Sequence, residues 1–172
     1  MAVIDAYVDA LAAAGKKAAP GNMAPGQVWA FACTFEIAIA DSDASIYRIA
    51  NLPASLIPHS LCVMGDDALD ITYFDVGLYL PGAGGAVVDY DCFADNLAVN
   101  GDAIDSADLA NNALVSLPID DIGKRLWEIA SVVTAKSYTA ASHPASFDLC
   151  LTAKSDPGAI ATVSVRGMFI QG

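Results

Sequence analysis

Positive charge is scarce in this sequence. Lys and Arg together account for 8 of 172 residues, against 20 Asp and Glu, and the formal net charge at pH 7 is -12. A chain this acidic repels the phosphate groups of DNA and RNA, so its composition argues against nucleic-acid binding. The sequence therefore predicts no nucleic-acid partner.

Uninterrupted apolar runs of membrane-spanning length are also missing. The most apolar stretch, residues 28–41, is broken by Glu36 and ends at Asp41, whereas a membrane helix needs about 20 apolar residues in succession. The N-terminal residues include acids where a secretory signal has basic residues, and the first lysines follow the apolar part. We expect a chain with no membrane partner, made in the cytoplasm without an export signal.

Residues that bind metals or act as nucleophiles are few and scattered. His59 and His143 lie beside serines, but no GxSxG motif accompanies them, and two histidines are too few for a cupin-type metal site. The cysteines form no CxxC pair and lie in apolar segments, which is typical of buried free thiols. They are Cys33, Cys62, Cys92 and Cys150. The sequence thus predicts no catalytic residue, no metal and no cofactor.

Two groups of aspartates have a spacing that loosely resembles a calcium loop. They are Asp66, Asp67 and Asp70, and Asp89, Asp91 and Asp95. An EF-hand loop needs Gly at its sixth position and Glu at its twelfth, but counted from Asp89 these positions hold Ala94 and Asn100. We therefore expect solvated loops here, with a weak calcium site of another type as the alternative.

The segment PGAGGA, residues 81–86, has the composition of a phosphate-binding loop but not its pattern. It lacks the Lys and the Ser or Thr of a Walker motif, and the third glycine of a dinucleotide-binding motif is replaced by Val87. Apolar residues alternate before and after it, as in paired strands. The pattern predicts the tip of an antiparallel hairpin, which either contacts a neighbouring subunit or is exposed to solvent.

Apolar residues are abundant. They make up 55% of the chain while charged residues make up 16%, and the mean hydropathy is +0.47. Monomers rarely leave large apolar patches in water. We therefore expect this protein to bind further copies of itself as a homo-oligomer.

The N-terminal 26 residues are predicted to be an arm and linker. Apolar residues recur at helical spacing up to Gly15, and a linker rich in Pro and Gly follows. The predicted arm is helical or extended, and it docks either on a partner or on its own domain. Its predicted contact residues are Ile4, Tyr7, Val8 and Leu11.

Residues 27–172 are predicted to form an all-β body. From Gln27 onward apolar residues recur at every second position. One face of the first strand collects Trp29, Phe31, Cys33, Phe35, Ile37 and Ile39. Candidate strands cover residues 27–39, 45–52, 55–65, 74–80, 86–93, 113–117, 146–153 and 159–170.

A single helix is predicted within this body, at residues 118–130. Its expected buried side is formed by Ile119, Ile122, Leu126 and Ile129. Since strands and helices do not alternate, the pattern favours an antiparallel two-sheet sandwich of the jelly-roll type with one short helix.

Four segments together resemble a known family. They are SIYRIANLPASLIPHSLCVMGDDALD (45–70), ITYFDVGLYLPGAGGAVVDYDCFADNL (71–97), DIGKRLWEIA (121–130) and SFDLCLTAKSDPGAIATVSVRGMF (146–169). In this order they resemble the capsid cement or decoration proteins of tailed bacteriophages, which have a jelly-roll body. The similarity covers about residues 45 to 170 and leaves out the arm.

The resemblance implies a structural role without enzymatic activity. It implies a virion protein on the capsid exterior, made in the host cytoplasm, that binds the major capsid protein and stabilises neighbouring subunits against internal pressure. The alternative is a carbohydrate- or receptor-binding β-sandwich module of a virion, with Tyr7, Trp29, Phe31 and Phe35 as a stacking platform. A jelly-roll enzyme would need a metal or a nucleophile and base in contact.

Overall fold

The structure, a computed structural model, describes residues 3–4, 27–39, 41–66, 72–82, 84–99, 117–133, 138–156 and 160–172. The strands are β1 (Val3–Ile4), β2 (Val28–Ile37), β3 (Ile46–Pro53), β4 (Leu56–Gly65), β5 (Thr72–Tyr79), β6 (Val87–Val99), β7 (Ser146–Ala153) and β8 (Ala161–Gln171). The helix α1 is Leu126–Val133. No helix in the described ranges is long and apolar enough to cross a membrane.

The strands form two sheets. The larger sheet has the order β1-β3-β7-β5-β6, and the smaller sheet has the order β2-β8-β4. Neighbouring strands run antiparallel, except that β1 is parallel to β3. This architecture confirms the predicted all-β sandwich with one short helix.

Apolar side chains from both sheets form the core. The largest fully buried rings are those of Tyr47, Phe74, Phe93, Phe147 and Phe169. Along β2 the inward and outward residues alternate as the sequence predicts, since Cys33 and Ile37 are buried while their neighbours Thr34 and Glu36 are exposed. The alternation places the predicted apolar face of β2 against the core from Trp29 to Ile37. The prediction was wrong for Ile39, which follows the strand in a turn and is 64% exposed.

Gly167 of β8 makes room for two aromatic rings in this core. The rings of Phe31 and Phe169 stack with their centroids 6.1 Å apart. A Cβ atom at Gly167 would lie 2.3 Å from Cε1 of Phe31, which is closer than real side-chain contacts allow. The glycine is therefore required by the packing of the rings.

Helix α1 packs against β4 and β6 at one side of the sandwich. Its buried residues are Leu126, Ile129 and Ala130. The Glu128 carboxylate accepts a hydrogen bond of 2.8 Å from the backbone N–H of Arg125, as in one half of a capping box.

The predicted start of this helix was wrong. Ile119–Asp121 forms a 3-10 turn, and Gly123 follows with a φ of 85°, a left-handed conformation that interrupts the helix. Ile119 and Ile122 are 82% and 68% exposed, so they do not belong to the buried side. The helix begins only at Leu126.

The predicted hairpin at the glycine loop is confirmed. β5 and β6 pair antiparallel on either side of it. The Leu80 N–H donates a hydrogen bond of 2.9 Å to the Ala86 carbonyl, and the Gly85 N–H donates one of 2.8 Å to the Gly82 carbonyl. Gly82 and Gly84 have φ values of 106° and 79°, which other residues rarely adopt.

Other predictions fall largely outside the described residues. Val3 and Ile4 form a strand and not the start of a helix, while Tyr7, Val8 and Leu11 lie outside the described ranges. Of the strand predicted at residues 113–117, Leu117 alone is described, and it is not in a strand. The division into an arm (1–26) and a body (27–172) stays a prediction.

Candidate interaction surface

One side of the smaller sheet points away from the core, and we call it the outer face. It consists of every second residue of the three strands, since successive side chains of a strand point to opposite sides. These residues are Val28, Ala30, Ala32, Thr34 and Glu36 of β2, Thr162, Ser164, Arg166, Met168 and Ile170 of β8, and Ile57, Ser60, Cys62 and Met64 of β4.

One end of the outer face is apolar, and the face carries only two charged side chains. Val28 is 64% exposed and Met168 is 41% exposed, and Val28 lies directly opposite Ile170 on the neighbouring strand. Its charged side chains are Arg166 and Glu36, although the chain as a whole has a net charge of -12. An exposed apolar surface on such an acidic protein is typical of a protein-binding site.

Arg166 lies in the middle of this face. It is opposite Ala32 on one side and opposite Cys62 on the other. It is exposed, and it forms no ion pair with any carboxylate of the described residues. One row along, the Thr34 and Ser164 hydroxyls form a hydrogen bond of 2.9 Å.

The prediction that all four cysteines are buried was wrong for Cys62. Cys33, Cys92 and Cys150 are buried thiols that form no disulfide, as predicted, whereas Cys62 is half-buried on the outer face. Partial burial raises the pKa of the Cys62 thiol, and nearby Arg166 acts against that rise.

The opposite side of the sandwich, on the larger sheet, has buried charges in place of an apolar surface. The Asp148 carboxylate forms an ion pair with Arg48. It also accepts hydrogen bonds from the Asn51 side chain at 2.7 Å and from the Gly82 N–H at 3.3 Å. Asp148 thereby connects the glycine loop to the sheet.

Asp75 is the centre of a second polar group on this side. It is fully buried, its Oδ2 lies 2.9 Å from Nζ of Lys154, and its Oδ1 accepts a hydrogen bond of 3.0 Å from the Asn96 N–H. The Lys154 ammonium also lies 5.5 Å from the centre of the Tyr90 ring. The buried carboxylates Asp75 and Asp148 are thus each paired with a cation of the same chain, which leaves little charge for an incoming ligand.

The aspartates at 89, 91 and 95 lie in strand β6 and not in the predicted loop. Asp89 is buried. Burial, followed by a side-chain hydrogen bond with Asp91, raises the pKa of Asp89 from 3.8 to about 6. The described residues contain no group of three side chains able to hold a metal ion.

The cavity beside the glycine loop is too small for a nucleotide. Its volume is about 20 Å³, which is room for about one water molecule. Its lining residues are Ile46, Arg48, Tyr79, Leu80, Gly82, Gly84, Gly85 and Cys150. The space available agrees with a turn and not with a phosphate site.

The predicted aromatic platform is not on the surface loops. Trp29 and Phe31 pack on the ring of Phe169, and Phe35 stacks on Tyr47 with ring centroids 5.1 Å apart. All three residues of β2 are half-buried against the core. Their rings therefore serve packing, while Tyr7 lies outside the described residues.

The two histidines have different surroundings. His143 stacks on Trp127 with a centroid distance of 5.3 Å and an interplanar angle of 6°, and its Nδ1 lies 2.7 Å from the Pro144 carbonyl. His59 is exposed on β4. His143 is thus held by stacking, whereas His59 lies at the bulge of the edge strand β4.

Comparison with solved structures finds two phage capsid chains that are similar to this one. A chain of the capsid of Ralstonia phage GP4 matches with a TM-score of 0.50 and 18% identity, covering 99% of both chains. A chain of the cyanophage Pam1 capsid asymmetric unit matches with a TM-score of 0.46 and 15% identity, covering 91% of this chain and 94% of that one. No family model and no curated protein sequence matches this chain.

Proposed function

We propose that this chain is a structural virion protein that binds the outer surface of a tailed-phage capsid and stabilises contacts between neighbouring major capsid subunits. The fold supports this role, since it is shared with a chain of the Ralstonia phage GP4 capsid over 99% of both lengths. The resemblance of residues 45–170 to cement proteins points to the same role. The role requires no enzymatic reaction, metal or cofactor.

The outer face of the smaller sheet is the observation that supports this function most directly. A capsid-binding protein needs a surface that stays attached in water, and burial of apolar area contributes about 25 cal/mol per Å². The exposed Val28 and Met168, flanked by Ile57 and Ile170, supply such area. Acidic residues elsewhere on the chain keep the rest of the surface hydrated.

Weak binding by each chain is sufficient for stable attachment, because a capsid presents many equivalent binding sites. Linked copies that bind neighbouring sites gain effective concentration, so weak individual contacts add up to stable attachment. The N-terminal arm, residues 1–26, extends this attachment to a neighbouring subunit. Its contacts are made by Ile4, Tyr7, Val8 and Leu11.

Co-sedimentation with capsids tests the proposed function. The purified chain is mixed with expanded capsids that lack it, and the bound copies are counted after centrifugation. We expect saturable binding, and we expect Met168→Glu to reduce it at least tenfold, because it places an unpaired charge in the apolar contact.

The matched control is Ile119→Glu, which changes an 82% exposed apolar residue outside the outer face. We expect this variant to bind capsids like the unmodified chain. Absence of binding by the unmodified chain, or equal binding by Met168→Glu and Ile119→Glu, would refute the proposed surface.

A further inference from the structure

The edge strands of the two sheets differ in how well they are protected from pairing with a further strand. Among the described strands, β1 and β6 are the edges of the larger sheet, and β2 and β4 are those of the smaller sheet. β1 is only two residues long. β4 has a bulge between Pro58 and Ser60, β6 has irregular pairing with β5, and α1 packs against both. Short edges, bulges, prolines and covering helices are the usual protections of a sheet edge.

Within the described residues, strand β2 has none of these protections. It is ten residues long and pairs with β8 in an unbroken register from Val28 to Ile37. It contains no proline and no lysine, and Glu36 is its single charged residue. A long, flat and apolar edge of this kind is prone to pair with another strand.

The backbone of β2 also presents free hydrogen-bonding groups. The Gln171 N–H donates a hydrogen bond to the Gln27 carbonyl. The backbone N–H and C=O groups of the odd-numbered residues of β2 therefore bond to β8, and those of the even-numbered residues point outward from the edge of the sheet. In the described part of the chain, the outward N–H and C=O of Ala32 and Thr34 have no hydrogen-bond partner. The outward-pointing backbone groups of this edge end at Ala38, whose N–H donates a hydrogen bond to the Asp41 carboxylate.

The core is incompletely covered along this same edge. Trp29, Phe31 and Phe35 point inward from β2 but remain half-buried. The equivalent inward residues of the neighbouring strand β8, Val163 and Val165, are completely buried. A strand placed beyond β2 would cover the exposed parts of these rings.

We propose that β2 pairs antiparallel with β2 of a second copy, with Thr34 facing Thr34 across a two-fold axis. The smaller sheets of the two copies then merge into one continuous sheet, with Thr34 and Ser164 beside the axis and the apolar end of each outer face, at Val28 and Met168, on either side. In this register residues 31–37 of the two copies overlap, and Ala32 of each copy faces Glu36 of the other.

Charge complementarity favours a second copy as the occupant. Arg166 lies opposite Ala32 on β8, so Glu36 of the second copy would be two strand spacings away, ~10 Å. An arginine and a glutamate side chain together span this distance, and the small Ala32 between them leaves their path open. The two-fold axis creates this ion pair twice.

The test compares the mass of purified variants by light scattering. We expect the unmodified chain to be dimeric at micromolar concentration, because the paired edge adds main-chain hydrogen bonds and covers aromatic rings. Thr34→Lys places two like charges at the axis, and we expect it to be monomeric. The matched control is Ser164→Lys, which loses the same hydrogen bond with Thr34 but lies on the central strand, and we expect it to remain dimeric.

Charge reversal tests the register. Glu36→Arg and Arg166→Glu should each weaken the dimer about fivefold, and the double variant should restore it. A monomeric unmodified chain, or equal dimerisation of Thr34→Lys and Ser164→Lys, would overturn edge pairing, while failure of the double variant to recover would overturn the register. These measurements contain no capsid, so their outcome is independent of the proposed function.

Discussion

Arg48 and Asp148 form an ion pair on the outward side of the larger sheet, with only 13% and 4% of their side chains exposed. The two residues lie on neighbouring strands, β3 and β7. Because Asp148 also accepts hydrogen bonds from Asn51 and from the Gly82 N–H, this one carboxylate joins two strands to the glycine loop.

Removing Asp148 should destabilise the fold strongly. In Asp148→Leu the almost buried Arg48 charge loses this carboxylate, and we expect the free energy of unfolding to fall by about 3 kcal/mol. Urea denaturation of the purified variant measures this loss. The double variant Arg48→Met, Asp148→Leu removes both charges and should recover at least half of it; an equal loss in both variants would contradict the interpretation.

Gly77 should not tolerate a side chain. A Cβ atom there would lie 2.1 Å from the Asp89 carbonyl oxygen and 2.4 Å from the Tyr90 carbonyl carbon, so Gly77→Ala must push β5 and β6 apart. We expect a loss of about 3 kcal/mol or more in thermal or urea unfolding.

The control for Gly77 is Gly84→Ala. A Cβ atom at Gly84 meets no atom within 4 Å, although its φ is 79°. This variant should lose only about 1 kcal/mol, because it adds backbone strain without a clash. Similar losses in the two variants would show that β5 and β6 adapt to the added methyl group.

Asp89 should make stability decrease as the pH rises. Its pKa is raised to about 6 in the folded chain from an ordinary 3.8, so between these values the folded state holds a proton that the unfolded state has released. Asp89 therefore makes its full contribution to the free energy of unfolding below pH 3.8, and this contribution is lost as the pH rises to about 6.

The variant Asp89→Asn tests this linkage. We expect it to raise the free energy of unfolding by about 1 kcal/mol at neutral pH and to lose this advantage in acid. Asp95→Asn, at an exposed position of the same strand, should show no such pH-dependent gain. A gain for Asp89→Asn that is the same at acid and neutral pH would argue against the raised pKa.

Deleting residues 1–26 should leave the body folded but weaken its attachment to capsids. We expect the sandwich to keep its β-rich circular dichroism spectrum, because the described strand that is removed, β1, is a two-residue edge strand, while the number of copies bound per capsid falls. Replacing Ile4, Tyr7, Val8 and Leu11 by serine should have the same effect as the deletion. Unchanged occupancy in both variants would show that the arm is not a contact.

The all-β fold could be predicted because its strands have a clear period of two. Apolar residues alternate with small or polar ones from Trp29 to Ile37 of β2 and from Ala161 to Arg166 of β8, and such alternation is a local signal. The start of α1 could not be predicted in the same way. Ile119 and Ile122 have helical spacing with Leu126, but Gly123 with its positive φ breaks the helix between them.

The buried ion pairs could not be predicted, because their partners are far apart in the sequence. Asp75 binds Lys154 and Arg48 binds Asp148, and strand order alone brings them together. The one local signal was an aspartate inside an apolar strand, as at Asp75 and Asp148. The outer face is likewise a property of three strands, so the composition predicted an apolar contact surface but not its location.

A cryo-electron microscopy map of capsids incubated with the purified chain tests the central claim most directly. We predict density for the chain on the outside of the shell at positions bridging major capsid subunits, with Val28 and Met168 of the outer face against the shell. Capsids without density for the chain at a saturating concentration of the chain would contradict the account, and so would a bound chain whose outer face points to solvent.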